Sequence, residues 1–148
     1  MRALWAIVCR GSSTDRDSNN ISLFQVIEEI AAAARDIPES SEAQTRARLP
    51  IPCEFVVLWA RTDADVPESA LLGMRIRDAG TGAVLAQPPP IQTDLSGQER
   101  HRQTWRLDGI PLPEIATGTF RLLFEATVGP DAVPAASTPL LIRLSLAE

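Results

Sequence analysis

A period of two most constrains what this chain can fold into. From Thr119 to Val128, Phe120, Leu122, Phe124, Ala126 and Val128 alternate with Arg121, Leu123, Glu125 and Thr127. An extended strand, with successive side chains on opposite faces, turns that pattern into one apolar face. The alternation recurs upstream. Cys53, Phe55, Val57 and Trp59 alternate with Glu54, Val56, Leu58 and Ala60; Leu72, Met74 and Ile76 face in while Arg75 and Arg77 face out. Gln103, Trp105 and Leu107 alternate with Arg102, Thr104, Arg106 and Asp108. Ala3 to Arg10 is apolar on both alternations, as a strand covered on both faces would be.

The segments between these runs carry turn chemistry. Gly11 to Asn20 is a polar loop rich in turn formers. Ile21 to about Ile30 reads as a second strand; because Ile27, Ile30, Ala31 and Ala34 also fit helical spacing, a helical turn is expected over Ala31 to Asp36. Ile37 to Arg48 has little apolar content and closes at Pro50 and Pro52, so a mobile insertion is expected near 31–50. Asp78 to Gly82 is a hairpin turn into Ala83 to Ala86. Pro88, Pro89 and Pro90 cannot donate to a ladder, so pairing is expected to stop there, with a loop to Gly97. Gly129 to Pro139 is expected to link to a last strand at Leu140 to Leu146. About eight short strands without a long helix imply an all-β domain over residues 1–148. The expected form is a two-layer antiparallel β-sandwich with an immunoglobulin-like Greek key.

Charge and composition narrow the function classes. A net charge of −5 with pI near 4.9 counts against nucleic acid, which needs a surplus of cations. All 14 basic residues are arginine. The apolar run Ala3 to Cys9 lacks a small-residue cleavage site and has Val8 before Cys9, so it reads as a strand and not an export signal. No run approaches the roughly 18–20 apolar residues of a membrane span. A cytoplasmic protein with no membrane contact is expected. Cys9 and Cys53 are expected to be buried thiols, with a disulfide as the alternative.

Several segments taken together, Asn19 to Ile30, Phe55 to Arg61, Arg75-Ile76-Arg77, Arg102 to Gly109 and Gly118 to Arg121, resemble families of small bacterial proteins grouped under domains of unknown function. The resemblance spans nearly the whole chain and is one of order and spacing. It implies an immunoglobulin-like sandwich of cytoplasmic origin and transfers no catalytic residue. Two departures stand out: the long link from Ala31 to Leu49, and Phe120 where such strands often carry an aromatic hydroxyl.

Catalytic parts are scarce. His101, flanked by Arg100 and Arg102, is expected to be an exposed strand-end residue whose protonated form those arginines disfavour. No Gly-x-Ser-x-Gly elbow exists, and Glu28 and Glu29 would face opposite ways on a strand. No enzyme activity and no cofactor are expected. Trp59 and Trp105 belong to the core. Arg75, Arg77, Arg102, Arg106 and Arg121 point outward, and their guanidinium forks suit acidic groups. These five form the candidate surface of a non-enzymatic interaction or accessory module that uses a sheet face or edge, with a protein partner or a second copy of itself. The alternative is a calcium- or small-ligand-binding sandwich in which Asp15 and Asp17 converge with Asp63 and Asp65 from a neighbouring loop.

Overall fold

The computed structural model describes residues 1–33, 48–61, 69–113 and 118–145, and among them the chain forms twelve strands and no helix. The strands are β1 (Arg2–Thr14), β2 (Ile21–Val26), β3 (Glu29–Ala33), β4 (Arg48–Leu49), β5 (Cys53–Ala60), β6 (Ser69–Asp78), β7 (Val84–Ala86), β8 (Ile91–Asp94), β9 (Arg100–Leu107), β10 (Ile110–Pro111), β11 (Gly118–Val128) and β12 (Val133–Ser145). One sheet has the order β2-β1-β5-β9 and a second β3-β12-β11-β6-β7, with β8 also on β6; β4 and β10 pair separately. No helix in the described residues is long and apolar enough to cross a membrane.

Alternation decides what each strand buries. Phe55, Val57 and Trp59 of β5 meet Met74, Ile76, Phe120, Leu122, Phe124, Leu140 and Ile142 of the other sheet in one core cluster. The rings of Phe55 and Phe124 stand 5.7 Å apart at 55°, a tilted contact that joins the two sheets at their centre. Trp59 is fully buried and its indole N–H donates to the Gln103 side-chain oxygen at 3.2 Å. Trp105 packs against the same core from a partly buried position.

Four expectations need correction. Glu29–Ala33, placed partly in a helical turn, is strand β3, and it runs parallel to β12, so the large sheet is mixed and not wholly antiparallel. Chain direction explains the parallel pairing. The Ile27 N–H still bonds Val8 of the first sheet, and Glu28 already accepts from Leu141 of the second, so the chain changes sheets within two residues. The expected insertion near 31–50 narrows, since Arg48–Leu49 forms β4 on β10; residues 34–47 lie outside the described residues. The three prolines interrupt pairing without ending it. β7 and β8 pair with successive parts of the same edge of β6, and Pro90 lies against Gly73, where an added Cβ would meet the Thr127 hydroxyl at 2.7 Å. The last link is a tight turn at 129–132, and β12 begins at Val133 where a loop was expected.

The end of β1 reaches beyond its strand neighbours. Cys9 pairs with Glu54, yet the Thr14 hydroxyl and the Asn19 carbonyl contact Arg102, which pairs with Leu58. A straight β1 would hold Thr14 and Arg102 about 30 Å apart at 3.3 Å per residue. The observed contacts therefore require the β1–β2 hairpin to fold back across the outer face of the four-stranded sheet. Its bend follows Cys9, where Gly11 has open space at its missing Cβ and Gln25 on the facing strand has a φ of +51°. The cover explains why Cys9 and Val56, which point away from the core, are fully buried.

Phe124→Ala is expected to cost about 3–5 kcal/mol as a core cavity, and Arg121→Ala, at an exposed position, within about 0.5 kcal/mol. Urea denaturation checks both, and a neutral Phe124→Ala would contradict the central ring contact.

Candidate functional site

The registers of β1, β5 and β9 lay out the outer face of the four-stranded sheet rung by rung. Arg2, Ala60 and Arg100 form the first rung, Trp5, Leu58 and Arg102 the second, Ile7, Val56 and Thr104 the third, and Cys9, Glu54 and Arg106 the fourth. β9 thus carries a column of three arginines on one face, as the Arg100-His101-Arg102-Gln103-Thr104-Trp105-Arg106 spacing dictates.

These arginines have different surroundings. Arg106 lies 3.4 Å from one Glu54 oxygen, and the Ser12 hydroxyl donates to the other. Its side chain remains 83% exposed, so this ion pair is a weak one. Arg102 holds the tip of the folded hairpin: one guanidinium nitrogen donates to the Asn19 carbonyl at 3.0 Å and another to the Thr14 hydroxyl at 3.4 Å. Asn19 has a φ of +56°, in the left-handed region that asparagine tolerates better than most residues. Arg100 is exposed and has no ion pair among the described residues. Around it runs a groove of about 720 Å³ whose walls include Arg2, Leu4, Arg61, Gln98 and Glu99. Two smaller depressions toward the hairpin tip share Arg100 and Arg102.

The other three candidate arginines lie on the second sheet. Glu125 of β11, only 2% exposed, sits opposite Arg75 of β6 and accepts from the Arg75 Nε at 2.7 Å and the Arg77 Nε at 3.0 Å. Burial pushes the Glu125 carboxyl up, and bonds from Arg77 and Arg75 more than reverse this, leaving it below its ordinary value. Arg75 and Arg77 are thus committed within the fold. Arg121 is exposed on the same strand as Glu125, and Arg143 lies 2.9 Å from Glu29. The sequence grouped five arginines; the structure keeps Arg102 and Arg106 on one face and puts the remaining three on another sheet. The groove itself is lined by Arg100, Arg2 and Arg61, with neither Arg102 nor Arg106 in its walls. The spacing of β9 already placed Arg100, but Arg2 and Arg61 join through strand pairing that no local pattern reveals.

Of the acidic loop candidates, Asp15 behaves as a turn residue. Asp15 accepts from the Asp17 N–H at 3.2 Å and the Ser18 hydroxyl at 2.7 Å, and the Ser18 bond chiefly lowers its carboxyl pKa. Asp63 and Asp65 lie outside the described residues. Among the described residues, no group of three His, Cys, Asp or Glu could hold a metal ion. Cys9 and Cys53 are free thiols on adjacent strands. Because Cys9 lies opposite Glu54, alternation turns the two cysteines to opposite faces. Burial pushes the Cys53 thiol up to about 11 and also raises that of Cys9, which disfavours the thiolate at both.

His101 is half-buried, contrary to the exposed position expected for it. It occupies the inward alternation beside Trp59, and burial lowers its pKa. Comparison with protein-family models and with curated proteins finds no match to the chain.

Because Glu125 ionises more easily in the fold, its stabilising contribution is full above its ordinary pKa and fades as the pH falls through the lower folded value. Glu125→Gln should lose about 1–3 kcal/mol at neutral pH by leaving two guanidinium groups without their acceptor. Its stability should then decline less than that of the parent between about pH 5 and pH 3, as urea midpoints would show.

Proposed function

We propose that this chain is a non-enzymatic binding module of the cytoplasm that docks an acidic protein partner on the outer face of its four-stranded sheet. The observation that carries this reading is the gathering of Arg2, Arg61 and Arg100 around one groove, with Arg102 beside Arg100 in the adjoining depression, on a chain of net charge −5. A cationic patch on an anionic protein favours encounters with acidic groups at that place and disfavours them elsewhere. Guanidinium forks add bidentate geometry to the attraction.

The same proposal takes the scaffold to be an immunoglobulin-like Greek-key sandwich, in keeping with the resemblance to small bacterial proteins. Supporting this, β5 and β9 adjoin in one sheet while β6, β11 and β12 adjoin in the other, and the chain crosses between the sheets from β5 to β6 and from β9 to β11. That partition matches the B and E strands against the C, F and G strands of such domains. An accessory role also accords with the chemistry of the groove, whose walls present guanidinium, amide and carboxylate groups and no activated nucleophile.

Capture from host lysate tests the docking reading. The parent protein and an Arg121→Glu control on the other sheet should enrich the same acidic partner. An Arg2→Glu and Arg100→Glu double variant should lose it by roughly tenfold or more. Equal capture by the double variant would overturn the proposal.

A further inference from the structure

Beneath the tip of the folded hairpin lies a depression of about 460 Å³, within the size range of small-ligand sites. Its walls differ in chemistry. Trp5 and Leu58 are cross-strand partners on the outer face of the sheet, Ile21 comes from the hairpin, and all three are half-buried apolar side chains. Arg100 and Arg102 stand on the other side, two residues apart on the same face of β9, with Asn19 above them. The Nε of Arg102 is removed from solvent and has no hydrogen-bond partner. The other two Arg102 nitrogens donate to Asn19 and Thr14, and the exposed Arg100 guanidinium beside them is open to an acceptor.

We infer that the space between the hairpin and the sheet binds an apolar carboxylate: a hydrophobic body against Trp5, Ile21 and Leu58, with the carboxylate on Arg100 and Arg102. This deepens the docking proposal and rests on its assignment of those two arginines as ligand-facing. Two sources share the chemistry, a free apolar acid and the C-terminal residue of a partner chain. A purely inorganic anion would leave the Trp5 wall wet, and a neutral apolar molecule would leave the guanidinium donors without an acceptor.

Four probes on the full chain separate the outcomes: octanoate, a short peptide ending in phenylalanine with a free carboxylate, its C-terminal amide, and inorganic phosphate. Calorimetric titration should show saturable binding of octanoate, of the free-acid peptide, or of both, with the amide and phosphate weaker by roughly tenfold or more. Octanoate alone identifies a free acid as the source; the peptide alone identifies a chain terminus. Arg100→Gln should weaken the acid roughly tenfold with little change in melting temperature. Leu58→Ser should weaken it too, and Trp5→Phe, which keeps an apolar wall, should still bind. The inference is overturned if no acid saturates below about 10 mM, or if the amide or phosphate binds as tightly as the acid. Partner capture that persists in Leu58→Ser while no acid binds the parent protein would sink this site and leave the docking face standing. Acid binding without any partner lost on arginine reversal would do the opposite.

Discussion

Strand β5 is covered on both faces, and the rest of the architecture follows from that requirement. Cys53, Phe55, Val57 and Trp59 turn toward the second sheet, where Phe124 meets Phe55. Val56 points the other way and is also removed from water. An apolar strand of eight residues loses hydrophobic stabilisation on any side left wet. One side is covered by a sheet, which brings β6, β11 and β12 into place. The other is covered by the chain's own first hairpin, bent over after Cys9. That bend also creates the depression under the hairpin tip.

The strands that pack in the core were the most legible part of the sequence. β5 and β11 lie within a residue or so of where their alternation puts them, because a core on one face imposes period two over the whole length. What could not be read depends on contacts distant in sequence. Glu29–Ala33 has alanines that fit a helix, and tertiary pairing with β12 overrides that weak preference. Ile91–Asp94 follows three prolines and looks like a loop, but the free edge of β6 supplies the ladder that no local signal announces. The fold-back of the first hairpin is invisible locally, since Gly11-Ser12-Ser13 carries turn chemistry whether it forms a bend in a strand or a loop.

The arginines show how one residue type takes different roles according to register. Arg75 and Arg77 read like surface charges, yet Glu125 opposite Arg75 draws them into a partly buried ion cluster. Partly buried pairs of this kind hold position more than they add stability, because desolvation offsets much of the attraction. Arg102 fastens the hairpin tip, and Arg106 shares Glu54 with Ser12. Only pairing information separates these roles. The alternation shows that a side chain faces outward and is silent about what lies there.

The arginine column of β9 also bears on what the edge of its sheet can pair with. β9 pairs with β5 on one side and, among the described residues, lies at the end of its sheet, and such an edge is a template for another strand. Two copies joined edge to edge through β9 would bring guanidinium groups of one into the rows of the other, and like charges across adjacent strands repel. An incoming strand with acidic side chains meets no such barrier. Charge at this edge thus weighs against pairing with a second copy and not against an acidic strand, a selectivity that shape alone would not give.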